Sequence, residues 1–197
     1  MRLDPKWASP QNNIGTTYYD QGRDDLAIPA FRKAIEIDPY LTLSRINLAR
    51  ALARQKQVDA AIAEYAKVIE KNPGARDAYK EQAYLFAAKG DYQAALASAD
   101  DLVRHDLARN SPDADAFANR GYFYAKLGDY VRAIADYSEA IRQHPDYPVV
   151  YLDRAFSYLK LGRKVEAAAD FRRVIELPGP DEWKQEAQLQ LDALDSH

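Results

Sequence analysis

The sequence predicts an all-α fold in which antiparallel helix pairs stack one after another into a solenoid. The first observation is a ladder of alanines that recur every 34 residues, with one interval of 38. The ladder consists of Ala27, Ala61, Ala95, Ala133 and Ala167. The second observation is that glycines and prolines keep the same period and share the same insertion of four residues. A fixed period of this size is typical of a repeat array, in which each unit buries its apolar face against its neighbours.

A single period, taken from Gly121 onward, contains two helices. Gly121 and Tyr124 are three residues apart and therefore share one face of a first helix. Ala133 and Tyr137 are four residues apart and share one face of a second helix. Gly128 lies between the two segments and predicts a tight turn. Each period is therefore a helix (A), a turn and a second helix (B), with small residues where the two helices approach closely.

The order of small residue, aromatic residue, glycine, alanine, aromatic residue, alanine and proline resembles the tetratricopeptide repeat. The resemblance covers nearly the whole chain in five copies and implies a right-handed superhelix. We place the repeats at about 8–41, 42–75, 76–113, 114–147 and 148–180. We predict a tail at 1–9, the repeat array at 10–180 and a C-terminal capping helix at 181–197. In that last segment one apolar stripe at helical spacing is formed by Trp183, Ala187, Leu191 and Leu194.

Three local features modify the pattern. Ser9-Pro10 and Ser111-Pro112 predict helix starts, because a hydroxyl can cap the helix and proline suits its first position. Pro29 falls inside a B helix and predicts a kink or a late helix start. The four extra residues after repeat 3 predict a longer B helix or a bulging loop.

Composition excludes several classes of protein and site. The chain has no cysteine, so it has neither disulfides nor thiolate metal ligands. Its three histidines have no zinc-ligand spacing, and the carboxylates are expected on solvated helix faces. We therefore expect no enzyme, no cofactor and no metal. No stretch is long and apolar enough for membrane insertion. We expect a cytoplasmic protein, with export as the alternative if a signal segment has been removed.

The resemblance implies that the A helices line a concave groove that binds a peptide or a helix of a partner protein. The predicted peptide-binding residues are Asn12, Asn47, Arg50, Arg54, Lys80, Tyr84, Asn119, Tyr122, Asp153 and Phe156. Tyr84, Tyr122 and Phe156 occupy one equivalent position and predict an aromatic row. Asn47 and Asn119 share another position, where an amide can pair with both the N–H and the C=O of a peptide. The alternative for the aromatic residues is packing between neighbouring A helices.

Some members of this family bind a C-terminal carboxylate through a basic clamp, and the sequence matches that clamp only in fragments. If the clamp starts at repeat 1, Asp77 and Glu81 stand where the third A helix should be basic. If it starts at repeat 3, Val149 and Asp153 stand at those positions. We therefore expect no binding of chaperone tails by that route.

Other functions remain as alternatives to a binding groove. A self-associating scaffold, giving a homo-oligomer, is suggested by Leu3, Pro5 and Trp7 in the N-terminal tail. Nucleic-acid binding ranks lower, because the net charge is −3 and the groove positions offer as many acids as bases. An enzyme ranks last, since no convergent set of catalytic groups is visible.

Overall fold

The structure is a computed structural model, and it describes residues 7–195, the side chain of Asp195 excepted. This part of the chain consists of α-helices joined by short turns, and it contains no strand. The helices are α1 (Ala8–Asp20), α2 (Asp24–Ile37), α3 (Thr42–Arg54), α4 (Val58–Lys71), α5 (Arg76–Ala88), α6 (Tyr92–Ala108), α7 (Ala114–Lys126), α8 (Tyr130–Gln143), α9 (Pro148–Lys160), α10 (Lys164–Glu176) and α11 (Asp181–Asp195). From α1 to α10, odd-numbered helices are the A helices and even-numbered helices are the B helices.

The chain divides into two compact units, which we call unit 1 (residues 1–98) and unit 2 (residues 99–197). In unit 1 each helix from α1 to α4 packs against the next one. In unit 2 each helix from α7 to α10 packs against the next one. Consecutive A helices also contact each other: α1 contacts α3 in unit 1, and α7 contacts α9 in unit 2. The predicted all-α fold of helix pairs is confirmed.

The alanine ladder is buried, because every one of its five members has 0% exposure. The glycines on the A helices face the B helix of the same pair. A Cβ atom on Gly15 would lie 2.5 Å from the ring of Phe31, and one on Gly121 would lie 2.9 Å from the ring of Tyr137. Small residues therefore allow the close approach that the repeat pattern predicted. A larger residue there would cost about 1–3 kcal/mol of overpacking.

The turn between the A and B helices requires a left-handed backbone. Gly128 has φ 82°, and Lys56 takes φ 60° in the one repeat that lacks the turn glycine. Only glycine adopts such a φ without steric cost. The array thus keeps one turn geometry even where the sequence does not favour it.

Both predicted serine caps are wrong. Helix α1 begins at Ala8 with Trp7 in the capping position. Pro10 lies within the first turn, where backbone N–H groups have no helical partner in any case. Helix α7 begins at Ala114, and its cap is Asp113, whose carboxylate accepts a hydrogen bond from the Ala116 N–H at 3.1 Å.

Two irregular helices behave differently from each other. The predicted late start at Pro29 is wrong, because α2 runs without interruption from Asp24 to Ile37. Pro29 is exposed, so water can reach the carbonyl that proline leaves unpaired. The predicted lengthening in repeat 3 is confirmed, since α6 has 17 residues and the other B helices have 13 or 14.

The expectation that carboxylates lie on solvated faces is wrong for several aspartates. In unit 2, Asp136 and Asp170 are buried, and each accepts two hydrogen bonds of 2.8 Å from one arginine. Arg120 binds Asp136 and also donates to Asp100 at 2.8 Å. Arg154 binds Asp170 and also donates to the Ser138 hydroxyl at 2.9 Å. Hydrogen bonding to the aspartates raises the pKa of Arg120 further above its usual range.

Helix α11 closes unit 2 on the side of α10. Ala187 and Leu191 are buried, and Trp183 and Leu194 pack at the edge of the same cluster. This cluster also contains Phe171 of α10. The apolar stripe of α11 therefore covers the last repeat, as a capping helix does in repeat arrays.

Candidate functional site

The predicted site residues lie on the A helices of both units. We define the unit 1 face as the exposed side of α1, α3 and α5, and the unit 2 face as that of α7 and α9. The unit 1 face carries Asn12, Asn47, Arg50, Arg54, Lys80 and Tyr84. The unit 2 face carries Asn119, Tyr122, Asp153 and Phe156. Each face is described separately.

An amide network joins the first two A helices of unit 1. Asn12 is only 5% exposed, and its side-chain oxygen accepts hydrogen bonds from the Ser44 hydroxyl and the Asn47 amide, both at 3.1 Å. The Asn47 amide also donates to the Thr16 hydroxyl at 3.5 Å. Asn12 therefore acts from inside the face, where it fixes the orientation of Asn47.

Arg54 is held at the end of the same face. It forms a two-point ion pair with the buried Asp24, and its Nε donates to that carboxylate at 2.6 Å. It also donates to the Tyr19 carbonyl at 2.6 Å, and its guanidinium lies 3.7 Å from the centroid of the Tyr19 ring. Hydrogen bonding to Asp24 raises the pKa of Arg54, so its charge is fixed in place.

The centre of the unit 1 face surrounds one tyrosine. Tyr65 is a buried B-helix residue, and its hydroxyl lies near Arg50 and Glu81 on the A helices. Burial raises the pKa of Tyr65, and the Glu81 carboxylate raises it further. Lys80 is half-buried at the next A helix, and Tyr84 is 47% exposed. This face thus combines an arginine, an acid and an exposed ring.

The unit 2 face is more aromatic. Tyr122 contacts the edge of Phe123 at a centroid distance of 5.4 Å, and the Lys126 ammonium lies 5.1 Å from its ring centroid. Phe156 contacts the buried Phe171 edge to face, also at 5.4 Å. Asn119, Tyr122 and Phe156 are all half-buried. Each ring therefore packs on the core with one side and keeps part of its surface accessible.

Asp153 stands out among the acids of the unit 2 face. Its backbone carbonyl accepts a hydrogen bond from Ser157 at 2.9 Å, but among the described residues its carboxylate has no hydrogen bond and no ion pair. Burial raises the pKa of Asp153 to about 6, and the Lys126 charge opposes that rise only in part. The carboxylate is thus desolvated without a direct partner.

Tyr65 and Tyr137 are equivalent residues of two B helices, and the repeat pattern did not predict the polar neighbours of their hydroxyl groups. Both rings are buried, yet their hydroxyl groups interact electrostatically with polar side chains. These are Arg50 and Glu81 for Tyr65, and Asp153 and Tyr122 for Tyr137. A signal was available, because the first and last repeats carry phenylalanine at this position. A tyrosine in place of phenylalanine indicates that a hydroxyl has a polar neighbour.

Two further findings concern the part of the chain that the structure describes. It contains no group of three or more His, Asp or Glu side chains placed to hold a metal ion. None of its helices combines the length and the apolar character needed to cross a membrane.

The fold defines a helical-repeat protein that is built from pairs of A and B helices. Family models described as "Tetratricopeptide repeat" match residues 8–41, 46–112, 114–147 and 150–178. These matches span most of the chain, and the chain belongs to the tetratricopeptide repeat family. Members of this family are generally non-enzymatic proteins that interact with other proteins.

Solved structures with the same fold include three with identified sources. A MamA fragment (41-end) from Desulfovibrio magneticus RS-1 is 19% identical, with a TM-score of 0.74 over 90% of this chain and 97% of that one. PilF of Pseudomonas aeruginosa is 17% identical, with a TM-score of 0.70 over 95% and 88%. TTC0263, described as a thermophilic TPR protein of Thermus thermophilus, is 23% identical, with a TM-score of 0.63 over 93% and 98%. At these identities the likeness shows the fold. No curated protein matches the sequence.

Proposed function

We propose that this protein is an interaction module that binds a peptide or a helix of a partner protein on its A-helix faces. The observation that carries the proposal is the set of partly accessible rings at one equivalent position of three A helices. Tyr84 of unit 1 is 47% exposed, and Tyr122 and Phe156 of unit 2 are half-buried. Aromatic side chains held by the core lose little conformational freedom when they contact a partner, so they are effective anchors.

Polar groups beside the rings support the recognition of a backbone. The Asn47 amide group is oriented by Asn12 and Thr16. Among the described residues nothing donates a hydrogen bond to its side-chain oxygen, which can accept one from a peptide N–H. Asn119 occupies the equivalent position of unit 2. Rings for side chains and amides for the backbone together suit an extended segment.

The test starts from peptides selected from a random displayed library on the wild-type protein. The affinity of a selected peptide is then measured by calorimetry for the wild type, Tyr84→Ala, Tyr122→Ala and the double variant. We expect the variant that removes a contacting ring to lose roughly tenfold or more in affinity, because truncation of an anchor residue at an interface costs about 1.4 kcal/mol or more.

The matched control is Tyr40→Ala, which removes a ring that is 79% exposed in the loop before α3. This variant should bind like the wild type. Unchanged affinity in the Tyr84/Tyr122 double variant would contradict the proposal. Sub-micromolar binding of an acidic chaperone-tail peptide would contradict the separate expectation that no carboxylate clamp is present.

A self-associating scaffold is a second candidate, and one observation favours it. Trp7 is 64% exposed, although tryptophan is usually well covered in folded proteins. Leu3 and Pro5, which belong to the same hypothesis, lie outside the described residues. Light scattering of the wild type and Trp7→Ser decides between the candidates. A dimer that forms with rising concentration and disappears in Trp7→Ser would support self-association, and a monomer throughout would exclude it.

A further inference from the structure

Three positions of unit 1 recur 72 residues later in unit 2, with two changes in chemistry. The pairs are Arg50 and Tyr122, Tyr65 and Tyr137, and Glu81 and Asp153. In unit 1 the buried tyrosine has both an arginine and an acid beside it. In unit 2 the buried tyrosine has an acid beside it and a second tyrosine where the arginine would be. Unit 2 therefore keeps the acid but lacks the cation of the equivalent position.

The neighbours of Asp153 do not replace that cation. Lys126 is the cation that acts on Asp153, but its ammonium lies over the Tyr122 ring and forms no ion pair with the carboxylate within 4.0 Å in the described part of the chain. Asp153 acts on the Tyr137 hydroxyl of α8, and so do Tyr122 of α7 and Asp136 of α8. Asp136 is already paired with Arg120. None of these groups brings a positive charge into contact with Asp153.

The surroundings of Asp153 suit a flat cation. Phe156 lies three residues from Asp153 on α9 and so shares its helix face, and Tyr122 lies on the neighbouring A helix α7. Aromatic faces attract a guanidinium or an ammonium, and the attraction is stronger where water is excluded. A carboxylate that has lost much of its hydration gains most from a partner that brings a full opposite charge and hydrogen-bond donors.

We infer that Asp153 binds a cationic side chain of the partner, an arginine in preference to a lysine, at the position that Arg50 occupies in unit 1. The inference rests on the proposed function and names the chemistry of its ligand. Arginine fits better because its planar guanidinium can donate two parallel hydrogen bonds to one carboxylate, which a lysine ammonium does not do. The partner thus supplies the cation that unit 1 places beside its own buried tyrosine.

The test uses one peptide selected on the wild-type protein and the same peptide with its arginine replaced by glutamine. Both peptides are measured by calorimetry at pH 7.5 against the wild type and Asp153→Asn. On the wild type, we expect the loss of the arginine to weaken binding at least tenfold. On Asp153→Asn, the parent peptide should bind at least tenfold more weakly, and the loss of its arginine should matter less than about threefold.

Two controls make the result specific. Glu81→Gln changes the equivalent acid of unit 1 and should leave the arginine effect unchanged. Repetition at pH 5 should weaken the parent peptide on the wild type, because Asp153 becomes protonated, but not on Asp153→Asn. Circular dichroism checks that Asp153→Asn folds, which is expected because the neutral amide has the same shape as the acid.

The outcomes separate the two proposals. Two outcomes would overturn this inference and leave the proposed function intact. In the first, the selected peptides depend on Tyr122 but carry no common cation. In the second, the loss of the arginine weakens binding to Asp153→Asn as much as it weakens binding to the wild type. An arginine effect that is lost in Glu81→Gln instead would also overturn it. A library that yields no peptide dependent on either face would contradict the proposed function, and this inference with it.

Discussion

Unit 1 and unit 2 use polar residues at different depths of the same repeat. In unit 1 the A helices α1 and α3 are joined at the face itself, through the amides of Asn12 and Asn47 and through the hydrogen bond from Arg54 to the Tyr19 carbonyl. In unit 2 the strong pairs, Arg120 with Asp136 and Arg154 with Asp170, connect the A helices to the B helices beneath them.

This difference determines what each face can offer to a partner. Several polar groups of the unit 1 face are already satisfied within the chain. The unit 2 face rests on buried pairs and keeps an acid and two rings at its surface. The repeat pattern is thus compatible with a face whose polar groups are paired within the chain and with one that keeps an acid without an ion pair, and the pattern itself does not distinguish the two.

The largest expected effect tests the buried pairs of unit 2. Arg154→Met should lower the free energy of unfolding by about 3–5 kcal/mol, because it leaves the buried Asp170 without its partner. Denaturant unfolding followed by circular dichroism measures the change. Arg154→Met/Asp170→Leu should recover most of the loss, because no buried charge then remains unpaired. A double variant as unstable as the single one would show that packing, and not charge, is responsible.

A smaller effect tests the unpaired acid of unit 2. Since its pKa in the folded protein, about 6, lies above the value of an unfolded chain, protonation of Asp153 stabilises the fold. Stability should therefore fall as the pH rises from about 4 to 6. Asp153→Asn should be more stable than the wild type by about 3 kcal/mol at pH 7.5 and equal to it near pH 4. A difference that does not depend on pH would show that Asp153 is not desolvated.

The smallest expected effect concerns the one turn that lacks glycine. Lys56→Gly should raise the free energy of unfolding by about 1 kcal/mol, since Lys56 has φ 60° and glycine adopts that value without strain. Thermal unfolding by calorimetry provides the measurement. Gly128→Ala in the corresponding turn of unit 2 should lower stability by a similar amount. Loss of stability in Lys56→Gly would mean that the lysine side chain makes a compensating contact.

The fold could be predicted from the sequence because it depends on periodicity. The alanine ladder, the close glycines and the stripe of α11 all follow from the 34-residue repeat and from helical spacing. The helix starts were less predictable, because Asp113 competes with the nearby Ser111 as a cap, and α1 begins after Trp7 without any side-chain cap.

The contacts of the site were harder to predict than its positions. Arg120 and Asp136 are 16 residues apart on different helices, so no spacing rule within one helix pairs them. Asn12 and Asn47 are 35 residues apart, and the sequence alone could not show that one orients the other. The state of Asp153 depends on how much water its neighbours exclude, which is a property of the packed structure.

The arginine pairs of unit 2 also bear on how such an array can lengthen. Arg120 and Arg154 are one period apart, and each joins its own B helix to the B helix before it, through Asp100 and Ser138 respectively. A duplicated segment of 34 residues would therefore contain its own arginine, which could join it to the preceding B helix in the same way. Gene duplication at this point could add a further repeat in a single step, and the same arginine bridge would hold the added copy against the repeat before it.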